Sequence, residues 1–248
     1  MKKIIVFDLD GTLAESKQGL DPEMSALLSQ LLSIKKVAII SGGGLPQFQK
    51  QVVSKLEFNS NNLKNLFLFP TKGAQMYEFD GKNWKDIYKK LLTDKEKEKI
   101  RTAFDKAISE VDFIPKEHFG DILEDREAQF TFSALGQDAT PEIKKTWDPD
   151  ASKRQELKKH LDKYLPEFAV EIGGTTSIDV TPKMIDKAYA IEKICEILDI
   201  KAEEILFIGD AIFKGGNDYA IIKTAVDYID VDDYNETKDI IRKIIQNK

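Results

Sequence analysis

Asp8 and Asp10 stand two residues apart, directly after the apolar run Ile4–Phe7 and directly before Gly11-Thr12. Side chains at i and i+2 of an extended segment point to the same side, so this spacing presents both carboxylates together at a strand end. Carboxylates that close repel, and each pKa rises unless a cation lies between or beside them. Mg²⁺ meets that demand, because it takes oxygen ligands and is commonly held by one or two carboxylates plus a substrate phosphate. Asp-x-Asp-Gly also occurs in solvated turns and calcium loops. Here the downstream Asp/Asn ladder and closing Glu of a calcium loop are missing. The apolar run before Asp8 favours instead the crevice at the carboxyl ends of an open α/β sheet. Asp210 follows a second apolar run at 204–208. If the two strands are neighbours, Asp8, Asp10 and Asp210 form a candidate Mg²⁺ site. Gly215-Gly216-Asn217-Asp218 comes next. Asn217 and Asp218 read either as support for that site or as plain helix caps, and the two readings are compatible.

Two cationic or hydrogen-bonding positions complete the set. Ser41 ends the run Lys36–Ile40 and precedes Gly42-Gly43-Gly44. Its hydroxyl, with glycine N–H groups such as that of Gly42 behind it, can hold a phosphate oxygen; a tight turn is the bland alternative. Lys187 lies near the start of a helical pattern and can place a point charge over the crevice. Among 37 basic residues a single lysine carries weight only from its context.

These residues need a scaffold. Ile4–Phe7, Lys36–Ile40 and Leu66–Phe69 read as buried parallel strands. Asp21 and Pro22 open a helix between the first two strands. Strand–helix alternation of this kind marks a doubly wound α/β fold. The pattern then changes: a hairpin edge at 77–79, amphipathic helices at 93–111 and 150–165, and strands at 129–135, 168–172 and 176–180. A helix at 185–198, a strand at 204–208, a helix at 218–223, a strand at 228–231 and a helix at 236–245 resume the first pattern. The expected architecture is a doubly wound parallel-sheet, Rossmann-like core at 1–81 and 183–248, with an inserted α+β cap domain at 82–182.

Composition limits the chemistry. At about 150 residues per domain, 248 residues allow one or two domains. A hydrophobic fraction of 42% is too high for a disordered acidic chain. A formal charge of −6 argues against sequence-independent nucleic-acid binding, but not against small anionic substrates met by local cations. Cys195 alone makes no internal disulfide and, with only His118 and His160, leaves metal chemistry to carboxylates. The apolar run before Asp8 is too short for a signal peptide, and no run approaches a membrane span. The expected location is cytoplasmic, with no nucleic-acid or membrane partner.

In order and spacing, Asp8-Leu9-Asp10-Gly11-Thr12, Ser41, Lys187 and Gly209-Asp210…Asn217-Asp218 resemble the haloacid dehalogenase superfamily over the whole chain. The insert resembles that superfamily's large α/β cap. Residues 209–218, 173–180 and 122–126 resemble eukaryotic-type phosphomannomutases. The resemblance implies that Asp8 attacks phosphorus to form a phospho-aspartate and that Asp10 protonates the leaving alcohol and then deprotonates the acceptor. It implies Mg²⁺ held by Asp8, the Asp10 main-chain carbonyl and Asp210, with Ser41 and Lys187 neutralising the phosphoryl group. In the cap it implies substrate contacts from Arg126, Lys144, Ser177 and Asp179.

The acceptor separates the two activities open to such a site. A phosphatase gives the phosphoryl group to water. A mutase gives it to a sugar phosphate and must grip a second phosphate, a role suited to the planar arginine fork. Arg126 matches one such arginine of the resembled cap. Gln137 and Lys144 stand where others would fall, and Lys17 replaces a core arginine. Lys72-Gly73 stands where related sugar phosphatases carry Asn-Gly. The departures at Gln137, Lys144 and Lys17 weaken a second phosphate site and favour a Mg²⁺-dependent phosphatase acting on a small phosphorylated metabolite such as a sugar phosphate. Phosphomannomutase is the alternative, and a non-enzymatic phosphosugar binder is disfavoured because it has no use for the Asp8/Asp10 pair. A monomer and a cap-mediated homodimer both remain open.

Overall fold

In the computed structural model, residues 2–57 and 59–247 are described. The chain divides into two units, Met1–Lys89 with Ile185–Lys248, and Lys90–Met184. In chain order the first contains β1 (Ile4–Phe7), α1 (Pro22–Leu32), β2 (Lys36–Ile40), α2 (Leu45–Gln51), α3 (Ser60–Leu63), β3 (Leu66–Phe69), β4 (Gln75–Phe79) and β5 (Trp84–Lys89). The second contains α4 (Asp94–Ser109), β6 (Leu123–Asp125), β7 (Phe130–Ser133), α5 (Pro141–Trp147), α6 (Ser152–Tyr164), β8 (Phe168–Gly173) and β9 (Ser177–Pro182). The chain then returns to the first unit with α7 (Lys187–Leu198), β10 (Ile205–Gly209), β11 (Asp227–Asp230) and α8 (Tyr234–Gln246).

The apolar strands alternate between two buried faces. Ile5 and Phe7 of β1, Val37 and Ile39 of β2, and Leu66 and Leu68 of β3 pack with Leu28 and Leu31 of α1, Phe48 of α2 and Ile241 of α8. Ile4, Val6, Ala38, Ile40, Phe67, Phe69 and Phe207 pack on the other face with Ala190, Ile191 and Ile194 of α7. A sheet covered on both sides reads as continuous apolar runs, which is why these strands were legible. The order is β11-β10-β1-β2-β3-β4-β5, parallel from β11 to β3 and antiparallel beyond. Because β1 lies between β10 and β2, the chain segments after β1, β2 and β10 leave the same edge of the sheet. The Asp21 side chain caps α1 by accepting from Met24 N at 2.8 Å, with Pro22 at the first helical position.

The second unit is a four-stranded antiparallel sheet, β6-β7-β9-β8. Its apolar face, including Phe130, Phe132, Ile178 and Val180, is covered by Ile100, Phe104, Leu157 and Leu161 of α4 and α6. Phe104 and Phe132 stack at 5.4 Å between ring centroids. The alternate positions are polar, and Glu124, Thr131, Asp179 and Glu171 are in register across the four strands.

Three departures from the sequence reading have physical causes. Trp84–Lys89 pairs with β4 and so joins the first sheet, which moves the division from 81/82 to 89/90. Residues 219–223 form a 3₁₀ turn rather than an α-helix: Asp218 makes no cap, its carboxylate being bonded to Lys187 and Ala211 N. Short α5 and three-residue β6 lack a period long enough to read. Among the described residues no helix is long and apolar enough to cross a membrane.

Candidate active site

β1 ends at Phe7, and its hydrogen-bond ladder continues one step further, from Asp8 N to Ile208 O at 3.0 Å. This places the Asp8 side chain at the carboxyl end of the central strand pair, 1% exposed. Lys187, the first residue of α7, is 2% exposed and bonds both Asp8 Oδ1 and Asp218 Oδ1. Among the described residues Asp8 Oδ2 is buried with no hydrogen-bond partner. An orphaned buried carboxylate oxygen is costly unless chemistry or an ion uses it.

Asp210 follows β10. Its Oδ1 accepts from Thr12 Oγ1 at 2.9 Å. Gly11, at φ +95°, leaves room for this carboxylate, since a Cβ there would lie 2.3 Å from Asp210 Oδ2. One oxygen from each of Asp8, Asp210 and Asp218 lies within 4.8 Å of the others. Three carboxylates against one ammonium leave the site short of positive charge, and an all-oxygen donor set suits a hard divalent cation. The electrostatics agree. Burial pushes the Asp8 carboxyl well above its ordinary value against the pull of Lys187, and Asp218 adds to the rise. Burial also raises Asp210, against the Thr12 hydrogen bond. Burial works against the Lys187 ammonium, yet Asp218 and Asp8 outweigh it and hold its pKa above the usual value.

Asp10 does not join this cluster by its side chain. Beyond the strand the chain turns, with Leu13 N and Ala14 N both bonding Leu9 O. The Asp10 carboxylate turns instead to Lys17 N at 2.5 Å, and to Gln47 Nε2 and Gln51 Nε2 at 3.3 Å each. Asp218 takes the third place in the acidic cluster, while Asn217 lies outside it. Ser41 is 3% exposed, and its Oγ accepts from Gly43 N at 3.3 Å. The turn after β3 braces this loop through Thr71 N to Gly43 O and Lys72 N to Ser41 O, both 2.9 Å. Sequence reasoning missed Thr12, Gln47 and Gln51. The two glutamines share an i, i+4 face directly after the Ser41 loop, a spacing that could have signalled them.

Of the four residues singled out in the second unit, Arg126, Lys144 and Asp179 have side-chain partners within it. Arg126 gives Glu124 Oε2 two bonds, at 2.8 and 2.6 Å. Lys144, on α5, is buried and donates to Gln137 O at 2.8 Å. Asp179 Oδ1 accepts from Thr131 Oγ1 at 2.8 Å, and Ser177 of β9 stands in register with Ser133 of β7. The unit's other arginines are held too, Arg101 by Asp125 at 3.3 Å and Arg154 by Asp148 at 2.7 Å.

Known proteins resemble the chain at two levels. A Spinacia oleracea protein named phosphomannomutase is 29% identical over 225 residues, covering 88% of this chain and 85% of that protein. The N-terminally truncated Plasmodium falciparum IMP-nucleotidase superposes with a TM-score of 0.72 at 17% identity, covering 100% of this chain and 71% of that one. The C-terminal domain of the C. albicans trehalose-6-phosphate phosphatase superposes with a TM-score of 0.64 at 17% identity, covering 100% and 93%. At that identity the two structures speak for the fold alone. The acidic cluster at the strand ends and the match of residues 5–229 to the family model lead to one assignment: the chain belongs to the haloacid dehalogenase-like hydrolases.

Proposed function

We propose that the protein is a Mg²⁺-dependent phosphatase of sugar phosphates or similar small phosphomonoesters. Asp8 Oδ2, buried and unbonded, is the nucleophile. It forms a bond to phosphorus as the bond to the substrate alcohol breaks, and Asp10 delivers a proton to that alcohol. Asp10 then takes a proton from water, whose oxygen displaces Asp8 and yields inorganic phosphate. Splitting the transfer through a covalent aspartate makes two easier steps of one. Lys187, fixed by Asp218, and Ser41 with Gly42 hold phosphoryl oxygens, so that catalysis is mainly alignment and charge compensation. Asp8, Asp210 and the Asp10 carbonyl would hold the Mg²⁺, which when bound neutralises charge on the phosphoryl oxygens.

We assign substrate selection to the second unit, a cap domain inserted in the chain. One observation carries hydrolysis over mutation of the sugar phosphate. Arg101, Arg126 and Arg154, the unit's three arginines, are each ion-paired to a carboxylate of the same unit. A guanidinium already committed to Asp or Glu is a poor fork for a second phosphate. The register of Asp179 and Glu171 on neighbouring strands adds negative charge that suits sugar hydroxyls and repels phosphate.

Phosphomannomutase is the second reading, favoured by the name of the 29% identical Spinacia oleracea relative. The deciding experiment is a phosphate-release screen over sugar phosphates with and without a hexose bisphosphate. A phosphatase releases inorganic phosphate without the bisphosphate. Bisphosphate-stimulated conversion of mannose 1-phosphate to its 6-phosphate, with little phosphate released, would overturn the proposal.

A further inference from the structure

The Asp10 carboxylate is held by more donors than a solvated acid needs. Oδ1 accepts from Lys17 N at 2.5 Å and Gln51 Nε2 at 3.3 Å, and Oδ2 accepts from Gln47 Nε2 at 3.3 Å. Gln47 and Gln51 lie one turn apart on α2, the helix that begins directly after the Ser41–Gly44 loop. Residues four apart share a helix face, so one face of α2 delivers an amide to each oxygen of the carboxylate.

Both glutamines are anchored. Gln51 is 2% exposed, its Nε2 also donates to Gln18 O at 2.6 Å, and its main-chain oxygen accepts from Leu20 N at 2.9 Å. Turning the carboxamide over would set its oxygen against the Gln18 carbonyl, so the orientation with nitrogen toward Asp10 is fixed. Gln47 is placed by Gly43. A Cβ on Gly43 would stand 2.3 Å from Gln47 Oε1 and 2.5 Å from Gln47 Cδ. Gly43 is not among the residues with positive φ, so its backbone makes no demand for glycine. The demand comes from the Gln47 side chain, which folds back across the loop.

From these contacts we infer that Gln47 and Gln51 are positioning residues for Asp10, locking its carboxylate in the orientation that delivers a proton to the leaving alcohol. Gly43 is the clearance that lets Gln47 reach it. The inference rests on the reading of Asp10 as the acid–base group given above. Helix α2 then has two roles, since its amino end continues the phosphate loop and its face holds the acid. The phosphoryl site and the proton donor are thereby tied to one rigid element, the arrangement that sub-ångström alignment requires.

Leaving-group dependence tests this without appeal to pH. An alkyl alcohol must be protonated as it departs, whereas 4-nitrophenolate departs unaided, so only the former needs a well-aimed acid. Single-turnover release of the leaving group isolates that step from the later hydrolysis. In Gln47→Met and Gln51→Met, release from a sugar phosphate should fall about 10–100-fold, the scale of lost alignment, with far less change for 4-nitrophenyl phosphate. Gly43→Ala should melt like wild type, because only the flexible end of Gln47 must move, and should reproduce the Gln47→Met pattern. Should Gln51→Met fail to fold, the Gln47 and Gly43 variants carry the test. Asp10→Asn is the reference. If it shows no leaving-group discrimination, the acid–base reading of Asp10 is what fails. If it discriminates while the glutamine and glycine variants affect both substrates equally, or neither, the positioning role is refuted.

Discussion

Replacing Lys187 with methionine keeps an unbranched apolar stem and removes one charge. In the folded protein the Lys187 ammonium bonds Asp8 and Asp218, and all three side chains are 2% exposed or less. The variant strands two carboxylates in the interior. Removing one partner of a buried ion pair costs about 3–5 kcal/mol, a large share of the roughly 5–15 kcal/mol that holds a domain together. The cost depends on pH in a definite direction. Without the ammonium the buried pair keeps one proton more than it does in the metal-free wild type, where burial already holds a proton on Asp8 below about pH 8, and the unfolded chain releases that extra proton. The folded state then binds more protons than the unfolded one, so stability is retained in acid and lost as pH rises. The destabilisation of Lys187→Met should therefore grow between about pH 5 and pH 8, at no more than about 1.4 kcal/mol per unit for one proton. Urea unfolding of both proteins in chelator across that range measures it. A flat difference below about 1 kcal/mol would refute the picture of Lys187 as the counter-ion of Asp8 and Asp218.

Three further outcomes follow from the same contacts. In the metal-free protein burial lifts Asp8 from 3.8 to about 8, so its contribution to stability is full below the lower value and is lost as pH rises through the upper. A divalent ion binds the ionised form, so the Mg²⁺-induced rise in Tm should be larger near pH 8 than near pH 5, and equal rises would contradict the site. Gly11→Ala forces a Cβ to 2.3 Å from Asp210 Oδ2 at φ +95°. It should cost about 1–2 kcal/mol and weaken Mg²⁺ binding by calorimetry; unchanged affinity would sink the assignment of Asp210. In the second unit Phe104→Ala removes a ring stacked on Phe132 and should cost about 3–5 kcal/mol in denaturant unfolding, with a loss under 1 kcal/mol showing that the α4–sheet packing is wrong.

What could be read from the sequence follows the physics of each element. Strands β1, β2 and β3 are buried on both faces and announce themselves as apolar runs, and Asp21-Pro22 and Thr93…Glu96 mark helix starts by their capping chemistry. β5 carries Lys85, Asp86 and Lys89 on an exposed edge, so nothing in its pattern separated it from the insert. Asp8, Lys187, Ser41 and Asp210 were legible because each ends a strand or starts a helix at the same edge of the sheet. Asp10 lies beyond the strand end, where its carboxylate is bonded by Lys17 N, Gln47 and Gln51 instead of joining the acidic cluster, and the strand period alone does not give those partners. Asp218 emerged as the bridge to Lys187 only once the loop after β10 had folded. Gln47 and Gln51 carry no charge, and their i, i+4 spacing after the Ser41 loop places them on one face without naming what that face holds, which an amide declares only through what lies within reach.

In the proposed reaction Asp8 passes a phosphoryl group from one small monoester to water. Its most direct test is rapid-quench trapping of the enzyme with a phosphorus-labelled sugar phosphate in Mg²⁺, followed by mapping of the label. Acid-stable label is expected on Asp8, formed and lost at rates that match inorganic phosphate release, and none in Asp8→Asn. Label elsewhere in the chain, or undiminished phosphate release by Asp8→Asn, would contradict it.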